Sequence, residues 1–64
     1  MNKKIKNLIE GKTETIILHA KLQSFEVCRR NEDWYDVREA NRFEPFTEHT
    51  KQQFLSFVKR WKLT

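Results

Sequence analysis

The longest periodic hydrophobic pattern lies near the C-terminal end of the chain, in residues 47–63. Apolar side chains recur there at the spacing i, i+3, i+4 and i+7, at Phe54, Phe57, Val58 and Trp61. That spacing places them on one face of an α-helix. The hydroxyl of Thr47 can accept a hydrogen bond from the free amides of a first helical turn. We therefore predict a helix over residues 47–63 with Thr47 as its N-cap. Its apolar stripe must be covered, because a helix this short is marginal alone in water.

A second, shorter helical pattern opens the chain in residues 1–10. Its apolar side chains follow the spacing i, i+4, i+7 and i+8, at Met1, Ile5, Leu8 and Ile9. Gly11 follows directly, and glycine adopts the left-handed conformation that ends many helices. The pattern predicts an amphipathic helix with Lys3, Lys4 and Lys6 on its solvent side.

The middle of the chain alternates between apolar and polar residues, which is typical of half-buried strands. Residues 25–30 and 34–40 flank the polar triplet 31–33, which predicts a hairpin that pairs Val27 with Val37. Residues 13–22 allow two interpretations. Their β-branched cluster favours a strand, although Ile16, Ile17 and Ala20 would also share one face of a helix. We prefer the strand, joined to the next by a tight turn at residues 23–24 that pairs Leu22 with Phe25.

This pairing separates the side chains of the three strands into two faces. The apolar face holds Ile16, Leu18, Ala20, Leu22, Phe25, Val27, Tyr35 and Val37. The mostly polar face holds Ile17, His19, Lys21, Glu26, Cys28, Arg30, Trp34, Asp36 and Arg38. Phe43 and Phe46 are expected to close one end of the core. The sequence thus predicts an α+β fold in a single domain over residues 1–64. Its order is α-β-β-β-α, a three-stranded antiparallel meander with both helices on the apolar face.

Composition limits the class of protein further. With 64 residues the chain is near the lower size for a single core, so either a monomer or a homodimer is compatible with it. A single cysteine excludes an internal disulfide and fits a reducing compartment. No apolar run is long enough to cross a membrane. We expect a cytoplasmic protein with no membrane partner, and its net charge of +4 favours polyanions or acidic surfaces.

The residues that could carry chemistry are few. His19 and Cys28 are neighbours in the predicted pairing and could form a thiolate pair, but so small a chain has little volume for a catalytic cleft. His19, Cys28 and His49 lack the close spacing of zinc ligands, and one glycine cannot build a phosphate-binding loop. We therefore predict no enzymatic activity, no catalytic residue, no metal and no cofactor.

The polar face of the sheet is the leading candidate for a binding site. Its basic residues Lys21, Arg30 and Arg38 surround Trp34, and cations around an aromatic can hold phosphates while a base stacks. Charge pairs Lys21–Glu26 and Glu26–Arg38 would also cross this face. Lys59 and Arg60, at the end of the last helix, extend the predicted site.

These residues predict a small, basic, non-enzymatic binding or regulatory protein that contacts nucleic acid or a nucleoprotein complex. The alternative is a protein–protein interaction module, a compact inhibitor or adaptor of the kind that phages and mobile elements encode. Such a module would dock on an acidic protein partner through Trp34, Tyr35 and the nearby arginines, because tryptophan, tyrosine and arginine dominate protein–protein contacts.

Overall fold

The computed structural model describes residues 2–63 and contains two helices and one antiparallel sheet of four strands in the order β1-β2-β3-β4. The elements are α1 (Lys3–Ile9), β1 (Thr15–His19), β2 (Ser24–Arg29), β3 (Trp34–Glu39), β4 (Thr47–Thr50) and α2 (Lys51–Arg60). The predicted α+β class with two helices is confirmed, and residues 13–22 contain a strand. The predicted count of three strands is wrong, because the sheet has a fourth.

The fourth strand occupies residues that we assigned to the first turn of the last helix. Thr47–Thr50 pairs with β3, and Lys51 begins the helix. Thr50, not Thr47, is the N-cap: its hydroxyl accepts from the amide of Gln53, and the Gln53 side chain accepts from the amide of Thr50. This reciprocal capping box defines the start of the helix more sharply than a lone hydroxyl does.

The register predicted for the hairpin of β2 and β3 is confirmed, with Val27 opposite Val37. The predicted register of β1 is wrong: Phe25 pairs with Leu18, four residues before Leu22. The turn is longer than we expected, and the amide of Ala20 donates to the carbonyl of Gln23 across it. A shift of four residues is even, so the side chains of β1 keep their predicted faces.

One apolar core holds the inner face of the sheet and buried residues from both helices. Tyr35 and Phe54 are both 0 % exposed and stack with 4.8 Å between ring centroids. Phe25 lies edge-on to Phe57 and Trp61 of the last helical turns, at 5.0 Å from each. The buried members of the core are Ile5, Leu8, Ile16, Leu18, Phe25, Val27, Tyr35, Val37, Phe54, Val58 and Leu63. Met1, predicted on the stripe of the first helix, lies outside the described residues.

Both helices end in the same hydrogen-bonded motif. At the end of α1, the amide of Gly11 donates to Leu8 and that of Lys12 to Asn7. Gly11 has a φ of 78°, which confirms its predicted role as the left-handed stop. At the end of α2, the amide of Lys62 donates to Lys59 and that of Leu63 to Val58, with Lys62 at a φ of 55°. Leu63 is buried, as this motif favours for the residue that follows the left-handed one.

Three predicted core residues lie elsewhere. Leu22 is 93 % exposed, because the longer turn places it beyond the end of β1. Phe43 is 108 % exposed and does not close the core. Phe46 is half-buried under the guanidinium of Arg38, which lies 4.3 Å above its ring. Neither α1 nor α2 has the length and apolar character that crossing a membrane requires.

Candidate binding surfaces

The outer face of the sheet carries the residues that we singled out from the sequence. It comprises the side chains that alternate with the buried ones along the strands, together with Arg30 at the end of β2. Across β2, β3 and β4 it brings together Glu26, Cys28, Asp36, Arg38 and Glu48. The strand register decides which charges meet here.

Arg30 is held by two carboxylates. Its guanidinium donates to both carboxylate oxygens of Asp36, and its Nη2 donates to Glu48 at 3.1 Å. The hydrogen bond to Asp36, and then that to Glu48, raise the pKa of Arg30 above its ordinary value. Arg30 therefore keeps its charge at every physiological pH, but that charge is matched by two negative partners from neighbouring strands.

Arg38 is likewise engaged. Its Nε donates to Glu26 at 2.8 Å, while the plane of its guanidinium covers the Phe46 ring. This confirms the predicted Glu26–Arg38 pair. The two arginines thus face three carboxylates (Glu26, Asp36 and Glu48), so this region of the outer face has no surplus of positive charge.

The structure does not bring all four predicted contact residues into one patch. Trp34 is 38 % exposed at the start of β3, and the amide of Arg30 donates to its carbonyl at 2.9 Å. Lys21 lies in the turn between β1 and β2, at the opposite end of the sheet. The predicted Lys21–Glu26 pair is wrong, because Ile17 occupies the position opposite Glu26.

The helices carry a different distribution of charge. Helix α1 contains three lysines, and helix α2 contains Lys51, Lys59 and Arg60, while neither helix contains an acidic residue. Within residues 2–63, none of these six cations takes part in a salt bridge. The predicted site residues Lys59 and Arg60 therefore lie in an uncompensated basic environment, with Lys62 directly after them.

Three apolar side chains whose exposure we did not predict lie toward the end of the sheet where β1 turns into β2. The amide of Ala40 donates to Ser24, so the loop after β3 lies at this same end. Leu22 projects from the first connection and Phe43 from the second, both almost fully exposed. Trp61 reaches the same end through Phe25 and is 39 % exposed. We call Leu22, Phe43 and Trp61 the apolar end of the sheet.

The residues considered for catalysis are separated by the observed register. His19 pairs with Ser24, and its Nδ1 lies 2.8 Å from the Ser24 hydroxyl. Cys28 pairs with Thr15, with 3.5 Å between its sulfur and the Thr15 hydroxyl. The proposed His19–Cys28 neighbourhood is therefore wrong. Among residues 2–63, no group of three or more histidine, cysteine or acidic side chains could hold a metal ion.

A groove with a volume of about 610 Å³ lies between β4 and α2. Its lining is mostly polar and includes Glu48, Gln52, Ser56 and Arg60. The groove is open to solvent, so it lacks the enclosure that holds a small molecule away from water. The lining also includes His49, and Arg60 belongs both to this groove and to the uncompensated group at the end of α2.

Comparisons with known proteins give no match, whether with protein-family models, with curated proteins or with solved structures. Function is therefore inferred from the charges and exposed side chains of this chain itself.

Proposed function

We propose that the protein is a small non-enzymatic binding module that contacts the phosphate backbone of a nucleic acid, alone or within a nucleoprotein complex. The contact surface is formed by the basic residues of α1, of the last turn of α2 and of the segment after α2. We call it the basic helix surface. It comprises Lys3, Lys4, Lys6, Lys59, Arg60 and Lys62. The observation that carries the proposal is the separation of charge between the helices and the rest of the chain.

A count of the charged residues inside and outside the helices shows this separation of charge. Helices α1 and α2 together contain six basic residues and no acidic one. The whole chain has a formal net charge of +4, so the residues outside the helices sum to −2. A polyanion that approaches this protein is attracted by the helices and is not attracted by the sheet. Such steering acts over about 8 Å at physiological ionic strength.

Packing supports a common orientation for the two helices. Ile5 and Leu8 of α1 belong to the same core cluster as Phe54 and Val58 of α2 and the inner-face residues of the sheet. We infer that both helices cover the inner face, as the sequence pattern predicted. Lys4 reaches back to the sheet, where its Nζ donates to the carbonyl of Ile17 at 3.4 Å. The other solvent-exposed cations of the two helices then lie on the side opposite the paired Arg30.

The outer face is a weaker candidate for this contact than we expected from the sequence. A phosphate that approached Arg30 or Arg38 would have to displace carboxylates that already accept their hydrogen bonds. It would also lie near Glu48, whose side chain is 60 % exposed. The alternative docking mode on an acidic protein loses one anchor, because Tyr35 is fully buried.

Binding to fluorescently labelled oligonucleotides at increasing salt concentration tests the proposal. Neutralising phosphates releases counterions, so the logarithm of affinity should fall linearly with the logarithm of salt concentration. The double variant Lys59→Gln/Arg60→Gln removes two cations, so the slope should become shallower by about 1.4 to 1.8.

The matched control is Arg30→Gln/Arg38→Gln, which removes the same charge from the outer face. We expect this control to leave the slope near that of the wild type. An affinity that does not change with salt would exclude phosphate neutralisation. An equal loss of slope in both double variants would show a general charge effect and would refute the assignment to the helices.

A further inference from the structure

The three residues of the apolar end of the sheet differ from other exposed apolar residues in the charges of their sequence neighbours. Each of its three side chains is adjacent in sequence to a cation: Leu22 follows Lys21, Phe43 lies between Arg42 and Glu44, and Trp61 lies between Arg60 and Lys62. Isolated exposed apolar residues are common on protein surfaces and require no explanation. Three at one end of a sheet, each next in sequence to a cation, match a ligand that combines flat apolar groups with negative charge.

Trp61 connects this end to the basic helix surface. It is the C-cap of α2, and Phe25 holds its ring edge-on at 5.0 Å. The ring is therefore fixed by packing, yet 39 % of the residue remains exposed, and Lys59, Arg60 and Lys62 lie within two positions of it in the sequence. An aromatic side chain with a set orientation loses little conformational entropy when a flat ligand stacks on it.

Phe43 is the second aromatic of this end. Its side chain projects from the loop that joins β3 to β4 and is 108 % exposed. Arg42 beside it is exposed and forms a 3.4 Å ion pair with Glu39, the kind of surface pair that contributes little and exchanges readily with other partners. Loop residues with this exposure are free to stack without breaking any contact of the fold.

We propose that the nucleic acid bound by this protein is single-stranded, with bases stacked on Phe43 and Trp61 and phosphates held by the adjacent cations. This inference rests on the proposed function and specifies its ligand. Bases in a duplex are stacked on each other and cannot reach a protruding aromatic ring, whereas unpaired bases can. Aromatic rings beside a basic strip that follows the backbone are the usual components of single-strand binding.

The chain provides a matched pair of tryptophans for the first test. Trp34 and Trp61 are equally exposed, at 38 % and 39 %, but Trp34 lies beside the ion-paired outer face and Trp61 beside uncompensated cations. Trp34→Phe leaves Trp61 as the sole tryptophan, and Trp61→Phe leaves Trp34. Titration with an oligothymidylate of about 12 nucleotides should quench the fluorescence of the first variant and leave the second unchanged. Quenching of Trp34 alone, or binding without any quenching of Trp61, overturns the inference.

Phe43 provides the second test, because its substitution leaves the core intact. Phe43→Leu keeps an apolar side chain but removes the aromatic face, and we expect it to weaken oligothymidylate binding at least about fivefold. Phe43→Tyr keeps the face and should bind within about twofold of the wild type. Equal affinity of Phe43→Leu and the wild type overturns the role of stacking.

A duplex of the same length separates the two proposals. Tighter binding to the single strand than to the duplex supports the inference. Equal, salt-dependent binding to both, unaffected by Phe43→Leu, overturns single-strand recognition and leaves the proposed function in place. Failure to bind either nucleic acid refutes both proposals, and the apolar end would then be assigned to a protein partner.

Discussion

Replacement of Lys62 by glycine should stabilise the protein. Lys62 has a φ of 55°, in the left-handed region, where a side chain costs roughly 1–2 kcal/mol. Glycine avoids that cost. However, glycine is more flexible in the unfolded chain, which stabilises the unfolded state by roughly 0.5–1 kcal/mol and offsets part of the gain. The expected gain in the free energy of unfolding is therefore about 0.5–1 kcal/mol, or about 2–8 °C in Tm for a domain of this size.

Chemical and thermal denaturation of Lys62→Gly, followed by circular dichroism, measures this gain. Lys62→Gln is the control, because it removes the charge and keeps the strained conformation, so its stability should stay near that of the wild type. The left-handed residue is held in place by the buried Leu63 and by the bond from the Leu63 amide to Val58. A neutral or destabilising effect of Lys62→Gly would show that the chain after α2 is not anchored in this way. It would also contradict the inference that Trp61 has a fixed orientation.

Three further predictions test other details of the fold by the same denaturation experiments. Gly11→Ala should lower the free energy of unfolding by about 0.5–1 kcal/mol, because the left-handed φ of 78° costs alanine more than the reduced flexibility of its unfolded chain returns; an unchanged stability would contradict the observed end of α1. Thr50→Ala should cost about 1 kcal/mol by removing the N-cap, whereas Thr47→Ala should cost less than half as much; the reverse order would restore the longer helix predicted from the sequence. Tyr35→Phe should be neutral or stabilising, because the buried Tyr35 hydroxyl has no hydrogen-bond partner in the structure; a loss above about 1 kcal/mol would reveal a bond that the hydroxyl makes.

The faces of the sheet could be predicted from the sequence, because alternation constrains them strongly. Val27 and Val37 lie on either side of a short polar turn, and a slip of one residue would place one of them on the polar face. The register of β1 could not be fixed in the same way. Pairing Phe25 with Leu22 or with Leu18 buries an equally apolar side chain, and both pairings leave the same residues of β1 facing inwards.

The boundary between β4 and α2 could not be predicted from the sequence of that segment. Thr47 and Thr50 are both good N-caps, and both are also favourable in strands. Helical periodicity begins only at Phe54, so it gives no information about the residues before it. The choice depends on the hydrogen bonds that β3 offers to Thr47–Thr50, and these depend on tertiary structure.

The candidate site was partly predictable for a related reason. Basic residues can be counted in a sequence, but the carboxylates that neutralise them depend on register and on neighbouring strands. Glu48 reaches Arg30 only because β4 joins the sheet, which the sequence did not indicate. Lys59 and Arg60 were identified from the sequence, whereas the exposure of Phe43 follows from a loop whose course the pattern did not predict.

The most direct measurement of where nucleic acid binds is an NMR titration of the uniformly 15N-labelled protein with a short oligothymidylate. We expect the amide signals of α1, of residues 59–62 and of Phe43 to shift together as the strand is added. The amides of Arg30, Asp36 and Arg38 should stay in place. Shifts concentrated on those three outer-face residues, with the helices unaffected, would contradict a contact surface on the helices.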